Sequence, residues 1–270
     1  MSHNFKRVGI AALVLTSFAC APAAQAQVAN GHSEGEAVVL QNAFPGLSIA
    51  LPPVSDFAPA PYNNSSLILP INPVIPGVLA LNTGLLFGSD ASDVDGTSGP
   101  KSATGTGTIN GTVLDLLGVG LTATMLSSTS DVTGDAGSFA AAGSSIIADA
   151  VLTIPQLLGN TVIQLNPQAA PNTVITDPVL TALGIVITLN EQLSTCGPLQ
   201  CNQETNAIHV KLNPLGIQLV DVDLKLGHSY ASLTAANVPE ASEWAMMLAG
   251  VGLIGLQLRR RSGRAHVIRA

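Results

Sequence analysis

The sequence predicts an all-β fold, an antiparallel β-sandwich or roll, with an N-terminal signal helix and a C-terminal single transmembrane helix. Three observations support this prediction. Apolar residues in the body recur with a period of two, strand- and turn-forming residues dominate, and one apolar run stands near each end of the 270-residue chain. Aromatic residues make up only 3% of the chain and charged residues 10%. This composition is typical of an exported β-rich protein rather than a cytosolic helical enzyme.

The charge is distributed unevenly between the body and the two ends. The formal net charge is −7, and seven of the ten Lys and Arg residues lie near the termini. Residues 28–238 therefore carry three cations against fifteen acids. Such a body repels nucleic acid and anionic headgroups, whereas it could attract divalent cations. We expect no nucleic-acid partner.

Residues 1–26 have the pattern of a secretory signal peptide. Two basic residues precede an apolar run over residues 8–21, and small residues follow it. The positive charge holds the start of the chain in the cytoplasm, and the run is too short to span a bilayer comfortably. We predict that signal peptidase recognises Ala24 and Ala26 and cleaves after Ala26. A lipoprotein acylated at Cys20 and a retained membrane anchor are the alternatives.

The rest of the chain divides into three segments. Residues 27–100 are rich in Pro and Asn, and we expect an extended segment that packs on the body, because Pro fixes φ and removes ladder donors. Residues 101–236 are expected to form the β-rich ectodomain. Residues 237–270 form a tail directed to the membrane.

Alternation of apolar and polar residues predicts antiparallel strands with one buried face. The clearest runs lie at residues 119–125, 185–190, 207–212 and 217–226. In the last run the apolar parity changes near Leu219 and Val220, which predicts a bulge or a change of pairing. A short helix starting within 152–158 is expected as well, limited by Pro155. Three polar residues of the last run are expected to face water: Asp221, Asp223 and Lys225.

The C-terminal tail has the shape of a membrane-spanning helix. Its apolar run over residues 244–258 ends at Arg259, Arg260 and Arg261. Fifteen residues cover about 22 Å, short of a hydrocarbon core of roughly 30 Å, but Trp244 and snorkelling arginines extend the reach. The three arginines form a membrane stop, which leaves the tail in the cytoplasm and the acidic body outside.

The tail also carries a sorting motif. Pro239, Glu240, Ala241 and Trp244, followed by a Gly-rich apolar helix and an Arg cluster, resemble the PEP-CTERM sorting signal in its Trp-Ala variant from Gram-negative bacteria. The resemblance implies recognition by exosortase, a membrane Cys-dependent transpeptidase-like enzyme that removes the tail during sorting to the cell surface. The chain would then be a substrate that passes the translocon and is held only transiently in the inner membrane.

Two features depart from that signal. Ala241 stands where the motif has its second Pro, and nine residues follow the arginines, so both could slow processing. An ordinary single-pass tail anchor is the alternative, because any apolar helix with terminal arginines inserts in the same orientation.

The body resembles a second group. The runs ITLNEQ at 187–192 and TNAIHV at 205–210, with a closing strand to Ser232, are similar to the choice-of-anchor P family. That family comprises bacterial surface proteins with a β-rich ectodomain and differing anchors. The resemblance implies no catalytic residue.

Cys196 and Cys201 are the two cysteines that remain after removal of the signal peptide. An oxidising compartment should join them across a turn between two strands, which adds about 2 kcal/mol in the chain-entropy model. A metal site would need further ligands, and a redox pair normally has Cys-x-x-Cys spacing. We therefore predict a structural disulfide, with no metal and no cofactor.

Asp90, Asp93 and Asp95, followed by Gly96, suggest a Ca²⁺ loop. An EF-hand register would place residues without carboxylates at the first and last ligand positions. A solvated acidic turn is the favoured interpretation.

Glu191, His209 and Asp221 could form an acid-base set, but no Gly-x-Ser-x-Gly nucleophile elbow accompanies them. We interpret His209 as a surface residue on an outward strand face, with Glu191 pairing across strands to His209 or Lys211. The Gly-rich stretch at 105–111 lacks the Lys of a phosphate loop, which indicates sheet or turn.

These observations predict a non-enzymatic exported protein of the cell surface or extracellular matrix, with exopolysaccharide or biofilm as its setting. No catalytic residue is assigned. The alternative is a secreted carbohydrate-binding module or hydrolase, which the shortage of stacking aromatics disfavours. A cleft that gathers Glu191, His209 and an acid with a shifted pKa would favour the hydrolase.

Overall fold

Two antiparallel sheets make up the body of the protein in the computed structural model. The structure describes residues 27–44, 47–50, 54–58, 60–157, 159–213, 222–236, 246–255 and 257. Gln27–Ala236 forms one compact unit. Its elements in chain order are β1 (Val28–Phe44), β2 (Leu47–Ala50), β3 (Val54–Phe57), β4 (Tyr62–Ile68), β5 (Val74–Ile75), β6 (Leu79–Thr83), β7 (Leu86–Ser92), β8 (Lys101–Leu116), β9 (Val119–Asp135), β10 (Ser138–Ala148), β11 (Val151–Gln156), β12 (Gly159–Gln164), β13 (Thr173–Ile175), α1 (Pro178–Leu183), β14 (Ile185–Cys196), β15 (Gln200–Leu212) and β16 (Val222–Ala235).

The first sheet has the strand order β13-β14-β15-β16-β1-β2, and β3 also pairs with β1. The second sheet has the order β12-β11-β9-β8-β6-β5, with β10 paired to β9 and β7 paired to β4 and β8. Strands β1, β15 and β16 of the first sheet contact β8 and β9 of the second. The predicted antiparallel all-β fold is confirmed, and its arrangement is sandwich-like.

The core lies between the sheets and follows the predicted alternation. Its larger cluster includes Leu121, Ile187, Ile208 and Leu224, each at an apolar position of an alternating run. The parity change expected near Leu219 and Val220 lies outside the described residues.

Alternation in the first sheet is interrupted along one row that crosses four strands. Asn190 and Gly227 have positive φ of 48° and 60°, and Ala37 and Ala207 stand beside them in the register. In β15, Thr205 lies before this row and Ile208 after it, and both side chains face inward although they are an odd number of residues apart. Because the row shifts the parity, Asn206 and His209 share the outer face although they are three residues apart. This row gathers the polar residues described below.

One predicted element is wrong and another was missed. Residues 151–156 form strand β11 instead of starting a helix, because Leu152 and Ile154 are buried on one face. Pro155 lies beyond the last residue of β11 that pairs with β9, so its missing N–H leaves that ladder intact. The unpredicted helix is α1, which Asp177 caps at its N-terminus.

The first seventy residues of the unit supply β1 to β7, and β1 lies between β16 and β2 within the first sheet. Beyond the unit, residues 246–255 and 257 are helical. Within the described residues, no helix combines the length and the apolarity needed to cross a membrane. The signal-peptidase site, the motif at 239–244 and the arginines at 259–261 lie outside the described residues.

Candidate functional site

Cys196 and Cys201 form a disulfide, which confirms the predicted bridge. The two residues face each other in the register of β14 and β15, where the chain turns from one strand to the next. Cys201 is buried in the smaller apolar cluster. The bridge therefore closes the hairpin at one end of the first sheet.

The three aspartates near Gly96 do not converge. Asp95 accepts from Lys101 Nζ at 2.6 Å, and this hydrogen bond, with others from Thr97, holds the pKa of Asp95 below its usual range. Asp93 accepts from the backbone N–H of Ser102 at 2.5 Å. Asp90 is only 1% exposed and neither of its carboxylate oxygens has a hydrogen bond among the described residues. The prediction of a solvated turn is thus wrong for Asp90, whose pKa is raised by burial.

Polar residues from distant parts of the sequence meet on the outer face of the first sheet. They come from four neighbouring strands, and hydrogen bonds or close charge contacts link them. We call this set the outer-face network: Glu191, Glu204, Asn206, His209, Asp223, Lys225, His228, Glu36, Glu34 and His32.

His209 lies at one end of the network and is 4% exposed. Its Nδ1 is 2.5 Å from Glu191 Oε2, and its Nε2 is 2.8 Å from Asp223 Oδ1. Each ring nitrogen of His209 therefore faces a carboxylate. Of the two cross-strand partners predicted for Glu191, the structure shows His209 and not Lys211 in contact with it. The prediction of a plain surface histidine is wrong, because Asp223 and Glu191 enclose the ring. Asp221, the acid of the hypothetical set, lies outside the described residues.

Asn206 is the centre of the network and is fully buried. Its Nδ2 donates to Glu191 Oε2 at 2.7 Å and to Glu204 Oε1 at 3.2 Å. Its Oδ1 therefore accepts from His228 Nδ1, 2.7 Å away. Because both amide atoms have defined roles, the imidazole of His228 carries its proton on Nδ1 and a lone pair on Nε2.

Beside His228, strand β1 contributes two carboxylates on the same face. Glu36 is the direct cross-strand partner of His228, and Glu34 follows two residues away. A carboxylate oxygen from each Glu and a ring nitrogen of His228 lie within 4.8 Å of one another. Burial, aided by nearby Glu34, raises the pKa of Glu36 to about 7, although Lys225 acts in the opposite direction. Burial lowers the pKa of His228 to about 4, so its ring is neutral at pH 7.

Lys225 neutralises a different acid of the network. Its Nζ donates to Glu204 Oε1 at 2.6 Å. Burial alone would raise the pKa of Glu204, but the bond to Lys225 outweighs it and the pKa is lowered. Lys225 is thus paired with Glu204. Among the described contacts, no Lys ammonium pairs with the carboxylate of Glu34 or Glu36.

His32 forms the other end of the network. Its Nε2 is 2.8 Å from Glu34 Oε1 and its Nδ1 is 2.9 Å from the Asp56 carbonyl oxygen. Its ring stacks on Phe57 with centroids 3.9 Å apart, and Tyr230 lies 5.7 Å away. Burial would lower the pKa of His32, but the hydrogen bonds to Glu34 and Asp56 outweigh it and the pKa is raised. The bond to His32 in turn lowers the pKa of Glu34.

Glycines of β8 lie directly beneath this part of the first sheet. A Cβ on Gly105 would meet the Glu34 carbonyl oxygen at 2.2 Å, and one on Gly107 would meet that of His228 at 2.1 Å. The stretch at 105–111 is therefore strand, one of the two structures predicted for it. Its glycines let the backbones of the two sheets touch, a close approach that the sequence pattern does not predict.

Sequence reasoning missed Glu34, Glu36 and His228. The available signal was the Glu-Gly-Glu run, because residues two apart in a strand share a face. The partner strand could not be named from the sequence, since β1 and β16 stand about 190 residues apart in the chain. No protein-family model, curated protein or solved structure matches this chain.

Proposed function

We propose that the protein is exported, sorted by exosortase and displayed at the cell surface or in the extracellular matrix, where it works without catalysis in association with exopolysaccharide or biofilm. The observation that carries the proposal is the order of signals in the tail. Pro239-Glu240, Trp244, a Gly-rich apolar run and three arginines follow one another in the arrangement of a PEP-CTERM signal. The N-terminal signal peptide supplies the matching route out of the cytoplasm.

The body is suited to that destination. The Cys196–Cys201 disulfide is of a kind that persists in oxidising compartments. The acidic composition of residues 28–238 keeps the body away from anionic headgroups once the tail is removed. A β-rich ectodomain also agrees with the resemblance to the choice-of-anchor P family.

The outer-face network supports a non-catalytic role. Glu191 and His209 do meet an acid, as a hydrolase would require, but carboxylates bind both nitrogens of His209. A general base needs a free lone pair within reach of the proton it takes. His209 has none in this arrangement, so the set works as a structural ion network.

One observation favours the alternative of a carbohydrate-binding module. Phe57 is 68% exposed and stacks on His32, with Tyr230 nearby. Exposed aromatic faces are the surfaces on which sugar rings stack. In this alternative Phe57→Ala abolishes retention on immobilised exopolysaccharide, whereas Phe87→Ala, which truncates an exposed Phe of the second sheet, leaves it unchanged. Equal retention of both variants would remove the alternative.

The proposal is tested by mass spectrometry of the protein from its own host, with and without exosortase. We expect an N-terminus at Gln27 in both strains, and loss of the tail beyond the Pro239-Glu240 motif only where exosortase is present. Glu240→Ala should block this loss, while Glu243→Ala, a matched acid outside the motif, should not. A C-terminus intact through Ala270 in both strains would refute sorting by exosortase.

A further inference from the structure

We propose that Glu34, Glu36 and His228 form a binding site for a first-row transition-metal dication such as Zn²⁺ on the outer face of the first sheet. The site is independent of the sorting proposal, because it depends only on described residues of the folded body. Two carboxylate oxygens and one imidazole nitrogen supply three ligands, which leaves one position of a tetrahedral ion for water or for a group from outside.

The backbone places the three donors where one ion can reach them. Glu36 and His228 face each other across β1 and β16, and Glu34 lies one pleat further along the same face. The donor atoms lie within 4.8 Å of one another, and ligands of a tetrahedral ion stand about 3.4 Å apart when each bond is about 2.1 Å. Binding therefore requires the Glu side chains to turn towards the ion.

Hydrogen bonds fix the orientation of the His228 ring. Its side chain is 9% exposed, and its Nδ1–H is held by Asn206. Asn206 is in turn fixed by Glu191 and Glu204. Metal-binding histidines commonly donate their second ring N–H in this way, which sets the tautomer and aims the free nitrogen.

Two of the proposed ligand groups have no hydrogen-bond partner in the part of the chain that the structure describes. Among the described residues, Nε2 of His228 and the carboxylate of Glu36 take part in no hydrogen bond, although the histidine is nine-tenths buried. Both groups can therefore bind a cation without giving up a hydrogen bond to another described residue. The nearest ammonium, that of Lys225, is bound to Glu204.

The donor set favours a transition metal over Ca²⁺ or Mg²⁺. Imidazole with carboxylates suits Zn²⁺ and related ions, whereas Ca²⁺ takes six to eight oxygen ligands. Contact of Gly105 and Gly107 with the carbonyls of Glu34 and His228 gives these ligands a rigid backbone support.

The test uses the full chain without a polyhistidine tag, stripped by a chelator and then titrated with Zn²⁺ alone or Ca²⁺ alone in a calorimeter. We expect one Zn²⁺ per chain, with no comparable uptake of Ca²⁺. Glu36→Gln and His228→Gln should each weaken Zn²⁺ binding about tenfold or more, and Asn206→Ala about 10- to 100-fold by freeing the ring. Asp135→Asn removes a carboxylate from β9 of the second sheet, outside the outer-face network, and it should leave Zn²⁺ affinity unchanged.

Thermal unfolding of each metal-free variant shows whether the fold is kept. If His228→Gln does not fold, Glu36→Gln decides the matter, because Glu36 is partly buried and has no hydrogen bond to lose. Replacement of Zn²⁺ by Co²⁺ should add visible absorbance bands that disappear in Glu36→Gln. Equal Zn²⁺ affinity of Glu36→Gln and the parent chain, or preferential binding of Ca²⁺, would overturn the proposal.

Discussion

The outer faces of the two sheets differ in the side chains that pair across neighbouring strands. On the second sheet, hydroxyl groups pair across β8 and β9, as in Thr108 with Ser127 at 2.8 Å and Thr106 with Thr129 at 3.4 Å. On the first sheet, the same cross-strand positions hold histidines, glutamates and a lysine. The hydroxyl pairs of the second sheet show that an outer face in this fold can be filled without charged groups.

The two kinds of side-chain pair also differ in what they contribute to stability. Hydroxyl pairs rotate to satisfy each other and do not titrate near neutral pH. Buried ion networks are weak stabilisers, because desolvation offsets most of their attraction. The second sheet has hydroxyl pairs at such cross-strand positions, so charged groups are one of two ways in which this fold fills an outer face.

The largest effect should follow from separating the two sheets. In Gly107→Ala the new Cβ would lie 2.1 Å from the backbone oxygen of His228, so one sheet must move away. We expect a loss of about 3 kcal/mol or more in the free energy of unfolding, measured by urea denaturation. Gly120→Ala is the control, because its Cβ would meet nothing closer than 3.8 Å, and it should change stability by less than about 1 kcal/mol. Similar values for both variants would mean that the sheets are not in backbone contact.

Removing one hydrogen-bonding side chain from each outer face should destabilise the first sheet more than the second. His209→Leu leaves Glu191 and Asp223 without their shared partner, and we expect a loss of about 2 to 3 kcal/mol. Thr108→Val removes one hydroxyl from the second sheet and should lose less than about 1 kcal/mol, since Ser127 can turn to water. Equal losses in the same denaturation experiment would contradict the distinction between the two faces.

A stabilising change is expected within the second sheet. Asp90 is a buried carboxylate whose oxygens have no hydrogen bond among the described residues, and burial raises its pKa. Asp90→Asn removes the charge at similar volume, and we expect a gain of about 1 to 2 kcal/mol at pH 7. Asp135→Asn is the control, because Asp135 accepts a backbone N–H and Asn can do the same, so little change is expected. A loss of stability in Asp90→Asn would show that this carboxylate has a partner.

The sequence predicted the alternating strands and the disulfide, and it predicted the contact of Glu191 with His209 as one of two alternatives. Each of these depends on local spacing or on simple pairing rules. It did not predict the row at Asn190 and Gly227, two residues with positive φ, where the parity changes in four neighbouring strands. That row depends on the alignment of strands distant in the chain, and hydrophobic periodicity contains no register information. The Glu34, Glu36 and His228 cluster was missed for the same reason, since β1 meets β16 only in the folded state.

The smallest predicted effect concerns the pH dependence of the network on the first sheet. Burial alone would raise the pKa of Glu191, but the hydrogen bond and charge of His209 outweigh it, and the pKa is lowered from 4.5. A carboxyl group with a lowered folded pKa binds fewer protons folded than unfolded, so it stabilises the protein above pH 4.5 and loses this contribution as the pH falls below that value. Glu191→Gln should therefore unfold with a shallower dependence on pH between 5 and about 3, whatever its stability at neutral pH. Thr108→Val, which removes no titrating group, should keep the parent's slope in the same acid titration followed by circular dichroism. An unchanged slope in Glu191→Gln would mean that His209 does not hold this carboxylate in its ionised form, and the charged face would then behave like the hydroxyl face opposite.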